Sequence, residues 1–412
     1  MNASLLRPRS LGTLLHLLVA HLFLLTGAAP AQWERVLVRP LKGEPFVAAF
    51  SGLDADGNLS FRTGSGELIQ RPDSLVSVIA EEGDLIRGTN VLRFDFANGD
   101  VFYGVVEGGN YDELKLASAA TGPFTVFVDP LKQIAAQLSD PRPLPEMEDA
   151  DTDLLFLRRS AGVDRIPGEL KRFDRSGIVF DPDGAGERLF RFGEDAVLAL
   201  RLSEPTMPKE LAGVHCRVRL RDGGLLTGVL AAGKGRDPLI KLAWGPEVTL
   251  SLAHVRSIEF QSKAFTALGD LKATSVQETP YLPGGLLRGL HRHQGVGRDN
   301  PLRIGNETYF SGISAAARTE IHYDLPASCS RLTALVGVDP GTANRGVPGS
   351  VRIKILAGEQ AVYESPLLVS GQAATPIDVD LKGARHLKIL VDFGSSGPTG
   401  AFAVIADALL IR

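Results

Sequence analysis

The chain has 412 residues, with 44% hydrophobic and 22% charged side chains and a formal net charge of −4. A mildly acidic, mixed-sign balance lacks the basic face that nucleic acid demands, so no nucleic-acid partner is expected. The length implies two or more domains.

Residues 1–31 read as an export signal. Arg7 and Arg9 supply a positive n-region, Leu11 to Leu25 an apolar stretch broken by His16 and His21, and Ala29-Pro30-Ala31 a small-x-small cleavage site. Gln32 then begins the mature chain. The apolar run is short for an anchor helix, and no cysteine stands at the cleavage site to carry a lipid. No other segment is long and apolar enough to span a membrane, so the expected location is secreted, or periplasmic within the cell envelope. Such a compartment permits a disulfide. Cys216 and Cys329 nevertheless sit inside apolar strand-like patterns and read as buried free thiols.

From Gln32 to Phe260 one unit recurs four times: a strand, a turn, a glycine followed by apolar residues, further strands, and a closing apolar strand. The anchoring glycines are Gly52, Gly104, Gly168 and Gly228. The fourth copy is clearest. Val218-Arg219-Leu220-Arg221 runs into the turn Asp222-Gly223-Gly224, followed by Leu225 to Leu230, Leu239 to Leu242, and Val248 to Phe260. The second copy repeats this with Leu92-Arg93-Phe94, the turn Asn98-Gly99-Asp100, Val101 to Val105, Leu114-Lys115-Leu116, and Phe124 to Ile134. Copies one and three carry the turns Asp56-Gly57-Asn58 and Asp174-Arg175-Ser176-Gly177. A unit of about 60 residues with five short strands resembles the Sm-like or SH3-like small barrel, in which closure removes exposed strand edges. A barrel that small buries only about 60% of its chain's surface, which favours pairs. Pro141-Arg142-Pro143-Leu144-Pro145, followed by Glu146, Glu148, Asp149, Asp151 and Asp153, marks a stiff acidic linker over 141–153. Two repeats then fall in 32–140 and two in 154–262. Proteolytic access is expected first in the linker and next between Gln261 and Leu271, where composition shifts.

The remaining stretch, 264–412, is a series of half-buried strands. Ile321, Tyr323 and Leu325 alternate with His322 and Asp324, and Leu332, Ala334, Val336 and Val338 with Thr333, Leu335 and Gly337. Val351, Ile353 and Ile355, then Ile377, Val379 and Leu381, alternate in the same way. Ala401 to Ile411 is almost continuously apolar, as in a central strand covered on both faces. The fold class is therefore all-β: tandem small barrel-like repeats followed by a sandwich.

The order Phe310-Ser311-Gly312-Ile313, Ile321 to Leu325, Val336-Gly337-Val338-Asp339, Gly349-Ser350-Val351, Ser365 to Leu368, Val379-Asp380-Leu381 and Val391-Asp392-Phe393-Gly394 resembles the NPCBM family. Thr279-Pro280-Tyr281 and Asn300 to Gly305 also fit. The resemblance implies a jelly-roll β-sandwich of carbohydrate-binding type with an extracellular glycan as partner; a cell-envelope protein is the alternative partner, favoured by the departures from the family pattern. It also implies that Asp339, Asp392 and Asp407, the retained acidic positions, and Tyr281 are the ligand-binding candidates. No cofactor is expected beyond a structural calcium ion that such carboxylates could share. Near its end the family carries His-Ala-Asp-Trp-Ala-Asp, where this chain reads Phe402-Ala403-Val404-Ile405-Ala406-Asp407. Pro340 replaces the usual second aspartate after Asp339, and Ala316 occupies the upstream histidine position. Polar and aromatic positions have become apolar while framework positions remain, as in a sandwich kept for structure or for a different partner.

No enzyme is expected. There is no His-Glu-x-x-His, no phosphate-cradling glycine loop and no Cys-x-x-Cys. Gly312-Ile313-Ser314-Ala315-Ala316 lacks the second glycine of a nucleophile elbow. His291-Arg292-His293 reads as an exposed loop rather than half a metal site, and His215 and His254 as sheet residues. Trp33 and Trp244 both lie outside the sandwich, and Tyr309 and Tyr363 within it read as core or half-buried aromatics. Asp407, inside an apolar strand, must be hydrogen-bonded, which makes a loop-pinning role its first reading and a share in a ligand or calcium site the alternative.

Overall fold

In a computed structural model of the chain, residues 31–412 are described apart from 81–85, 87, 89–90, 137–150, 160–161, 193–196, 209–210, 280–288, 297–299 and 343–347. The stretch read as an export signal, up to residue 30, and most of the stretch read as an acidic linker lie outside these residues. The regular structure described is almost entirely β-strand, with only short 3-10 turns beside it, and no described helix is long and apolar enough to cross a membrane. The chain divides into two compact units, Met1–Phe260 and Gln261–Arg412.

The first unit repeats one connectivity four times. Repeat 1 comprises β1 (Val36–Pro40), β2 (Phe46–Leu53), β3 (Leu59–Thr63), β4 (Gly66–Gln70) and β5 (Leu75–Ala80). Repeat 2 comprises β6 (Leu92–Phe96), β7 (Val101–Asn110), β8 (Glu113–Ser118), β9 (Gly122–Phe127) and β10 (Leu131–Ala136). Repeat 3 comprises β11 (Asp153–Arg159), β12 (Gly162–Asp174), β13 (Gly177–Asp181), β14 (Arg188–Arg191) and β15 (Val197–Arg201). Repeat 4 comprises β16 (His215–Leu220), β17 (Leu225–Lys234), β18 (Asp237–Leu242), β19 (Glu247–Thr249) and β20 (Val255–Gln261). In each, four strands form an antiparallel meander and the fifth returns to pair with the first. That return curls the sheet towards a small barrel, with large apolar side chains such as Phe50, Phe61, Phe94, Phe102 and Phe180 inside.

The second strand is the one that bends. Each carries a register shift where it leaves the first strand and joins the third. In repeat 4 the shift falls between Ala231 and Lys234, and Gly228 precedes it, paired with both Cys216 and Leu242; a Cβ there would lie 2.2 Å from the Lys241 carbonyl, so only glycine admits that approach. The fifth strands pair with one another across repeats: β5 with β20, and β10 with β15. Repeat 1 is thereby joined to repeat 4, and repeat 2 to repeat 3. Asp153, assigned to the linker by its charge, instead opens β11. Its carboxylate accepts from Leu170 N at 2.9 Å and Ser203 N at 2.9 Å.

The second unit is a sandwich. Its strands are β21 (Phe265–Ala267), β22 (Ser275–Glu278), β23 (Leu290–Arg292), β24 (Leu302–Ile304), β25 (Glu307–Tyr309), β26 (Gly312–Ala316) and β27 (Thr319–Asp324). There follow β28 (Arg331–Val338), β29 (Ser350–Ala357), β30 (Gln360–Glu364), β31 (Leu368–Val369), β32 (Thr375–Asp380), β33 (His386–Phe393) and β34 (Phe402–Ile411). One sheet runs β23-β26-β34-β28-β32 with β21 also on β34; the other runs β22-β27-β33-β29-β30 with β31 on β29. Between them lies an aliphatic core that includes Ile321, Leu332, Val336, Ile353, Ile389 and Ile405. The stretch Gln261–Leu271, read as an open connection, is part of this unit. Phe265 and Leu268 are buried there and β21 pairs with β34, because an apolar Phe-x-x-Leu spacing finds the sandwich edge.

Strand β34 is covered on both faces, as its continuous apolar sequence requires. Ala403, Ile405, Ala408 and Leu410 face the inter-sheet core. Val404 and Ala406 face outward, where the β24–β25 hairpin lays Leu302, Ile304 and Tyr309 over them.

Candidate functional site

The three acidic candidates occupy different places. Asp339 follows β28 and is buried; its carboxylate accepts from Val296 N at 3.1 Å and Gly341 N at 2.8 Å, while its own N–H donates to Phe402 O at 3.0 Å. It therefore ties the segment before β24 and the Pro340–Thr342 turn to the start of β34. Asp407 stands at a β-bulge. The ladder passes from Leu335–Ala406 to Thr333–Leu409, which leaves Asp407 and Ala408 opposite Ala334 alone. Its φ is 44° and its N–H donates to Ser311 O at 2.8 Å. An aspartate is one of the few side chains that accepts this left-handed conformation readily. Asp392 is the exposed member, on β33 opposite Arg352 of β29. Tyr281 lies outside the described residues. Asp339, Asp392 and Asp407 thus stand at different elements, and among the described residues no three His, Cys, Asp or Glu side chains gather to hold a metal ion.

His291-Arg292-His293 is not an exposed loop. His291 and Arg292 lie in β23, with His291 opposite Ser314 of β26, and the His291 ring packs 5.7 Å from that of Phe402. His293 Nε2 meets Asp270 Oδ1 at 2.9 Å, and Arg292 donates to the carbonyls of Gly269 and Asp270 at 2.6 and 2.7 Å. The segment is a short edge strand that locks the 268–270 turn, which a Gly- and Arg-rich composition disguises.

Aromatic groups in the second unit are withdrawn from solvent. Tyr309, Phe310, Tyr323 and Phe402 are buried, and Tyr363 and Phe393 are half-buried, so no described aromatic there is exposed. Burial pushes the Tyr323 and Tyr363 phenols up, which keeps both protonated. Both buried cysteines are free thiols, and burial pushes Cys216 and Cys329 up as well, leaving neither a ready nucleophile.

Among the described residues, the outer face of the second sheet carries exposed and half-buried polar side chains. Alternation turns Glu320, His322 and Asp324 of β27 outward, with His386, Lys388, Leu390 and Asp392 of β33 beside Arg352, Lys354 and Leu356 of β29. Lys388 and His322 both hold Glu320, at 3.0 and 2.6 Å, and lower its carboxyl below the usual range, the Lys388 bond first. Lys354 pairs with Glu364, and His386 with Asp324 at 2.8 Å. This is a hydrogen-bonding surface that includes two half-buried leucines, Leu356 and Leu390. Of the described ligand candidates named from the sequence, Asp392 lies on it. The alternation that singles out the other side chains was legible, but which sheet face stays uncovered was not.

One family model agrees with the sandwich of this unit. Residues 266–411 match the NPCBM/NEW2 domain. A curated Renibacterium salmoninarum protein named "Putative endo-alpha-N-acetylgalactosaminidase" is 30% identical over 115 residues; the match spans 28% of this chain and 7% of that protein. Among solved structures, the CBM51 of Clostridium perfringens GH95, in complex with methyl-galactose, is 21% identical with a TM-score of 0.31, covering 35% of this chain and 99% of that one. The tandem CBM51 modules of the family 98 glycoside hydrolase from Streptococcus pneumoniae are 13% identical with a TM-score of 0.32, covering 91% of this chain and 88% of that one.

Proposed function

We propose that the protein is a secreted, non-enzymatic binding protein whose sandwich holds an extracellular or cell-surface glycan. The observation that carries this reading is the NPCBM/NEW2 match over 266–411, on a sandwich that keeps one polar sheet face open. On that face Asp392 and Glu320 accept sugar hydroxyl protons, and Arg352, Lys388 and His322 donate to hydroxyl oxygens. Half-buried Leu356 and Leu390 supply the apolar floor that an aromatic ring supplies elsewhere. A glycan array probed with the purified full-length protein tests it: retention of a defined glycan class is expected, and silence across host and bacterial polysaccharides would reject it.

A second reading is an extracytoplasmic scaffold that binds protein partners through a sandwich with a degenerate sugar site. The burial of Phe402, Val404 and Ile405, where the family pattern has histidine, aspartate and tryptophan, favours it. Glycan silence together with specific binding of a purified envelope protein would select this alternative.

A further inference from the structure

The three most exposed large apolar side chains of the described chain gather in one place, and it is in the first unit. They are Tyr111 at 65%, Met207 at 64% and Phe127 at 59% exposure. Tyr111 sits in the β7–β8 turn, and Val128 N donates to Asp112 O at 2.8 Å, which sets the end of β9 beside that turn. Phe127 lies opposite Glu113 on the same ladder. Thr206 N donates to Asp129 O at 2.7 Å, which brings the segment carrying Met207 to the same corner. Soluble surfaces seldom expose such side chains together unless something covers them, and aromatic residues and methionine are enriched at protein interfaces.

The rim of this patch is acidic. Asp112, Glu113, Asp129 and Glu204 are all exposed around it, and among the described residues none of the four holds an ion pair. Lys115, opposite Thr125, is the basic side chain of the β8–β9 ladder, and Arg172, opposite Asn110, pairs with Glu187 at 2.9 Å. Four carboxylates around three apolar groups repel a second copy of the same patch, on a chain whose net charge is already −4. They attract a segment that offers an apolar anchor between basic residues.

We propose that this corner of repeat 2 is a docking site for a protein segment bearing an apolar side chain flanked by lysine or arginine. The apolar anchor covers Phe127 and Tyr111, and the flanking cations meet Glu113, Asp112 and Asp129. This goes beyond glycan binding and concerns a different unit of the chain, so either can fail alone.

The test is fluorescence anisotropy of the full-length protein with a fluorescein-labelled peptide of alternating lysine and leucine, beside a peptide with glutamate for lysine and a neutral oligosaccharide. Binding of the lysine peptide alone is expected, weakening with added salt. The Tyr111→Ser/Phe127→Ser double variant is expected to weaken it at least tenfold, and Glu113→Lys/Asp129→Lys to abolish it with the aromatic pair intact. All four positions are exposed, so unchanged melting confirms that each variant is folded. Equal binding of the glutamate peptide, binding untouched by both variants, or no peptide binding would overturn the proposal. So would oligosaccharide binding that the serine variant removes, because that outcome makes the patch a sugar platform.

Discussion

Trp244 donates its indole N–H to Asp100 at 2.6 Å, across the boundary between repeat 4 and repeat 2. The same ring stacks on Phe96 at 3.8 Å, and Thr227 gives Asp100 both its N–H, at 2.7 Å, and its hydroxyl, at 2.6 Å. Asp100 is thus a buried carboxylate shared by two repeats. Asp100→Ala would leave the Thr227 and Trp244 donors without an acceptor, at a cost on the order of 3 kcal/mol. Trp244→Phe, which keeps the stacking and loses one hydrogen bond to a charged group, should cost about half of that. Denaturant unfolding of the two variants checks the ranking, and an Asp100→Ala protein as stable as wild type would refute it.

Burial, the largest influence, pushes the Asp100 carboxyl above its ordinary range, against the Thr227, Asn98 and Trp244 hydrogen bonds that pull it down. A raised folded pKa stabilises fully below the unfolded value, about 3.9 for aspartate, and that stabilisation is lost as pH rises through the folded value. The advantage of wild type over Asp100→Asn should therefore shrink from pH 4 upward. Paired thermal melts across pH 4 to 8 measure it; an advantage that grows with pH would contradict the direction.

At the β34 bulge, the left-handed backbone of Asp407 sets a clear order of tolerance. Asp407→Asn keeps both the conformation and hydrogen-bonding capacity, and Asp407→Gly keeps the conformation alone. Asp407→Ala loses the carboxylate and adds strain of about 1 kcal/mol in the left-handed conformation. Melting temperatures of the sandwich transition should fall in the order Asn, Gly, Ala, with alanine several degrees below wild type. A ligand-binding role for Asp407 would instead leave the melts level and abolish binding.

Gly312, at φ 134°, faces the carbonyl of Ile405, which a Cβ would approach to 2.2 Å. Gly312→Ala should separate β26 from β34 at their closest point and destabilise the second unit by more than about 2 kcal/mol. Calorimetry resolves the effect, and an unshifted sandwich transition would mean that the strands part without cost.

Much of this architecture was written in the period of the chain. Alternation placed Val351, Ile353 and Ile355 inside and Arg352 and Lys354 outside, and the apolar run of β34, broken only by Asp407, anticipated cover on two faces. The recurring glycines marked the bent second strands, because close approach of a neighbouring strand is a local demand. What sequence could not supply is the partner of an edge. β5 and β20 look like any closing strand, and nothing local says that repeat 1 joins repeat 4. Asp100 was legible as a hairpin turn residue; its burial depends on Trp244, which is 144 residues away in the chain. For the same reason Asp392 could be named as a candidate, while the open face that gives it neighbours could not.

The central claim is glycan recognition on the outer face of β27, β33 and β29, and affinity electrophoresis of the full-length protein through gels containing the best array glycan tests it directly. Wild type should be retarded. Arg352→Ala and Asp392→Ala, both exposed and remote from the core, should each migrate at least tenfold closer to the mobility without glycan in apparent affinity, about 1.4 kcal/mol. Retardation that both variants keep in full, or no retardation of wild type by any glycan, would contradict it.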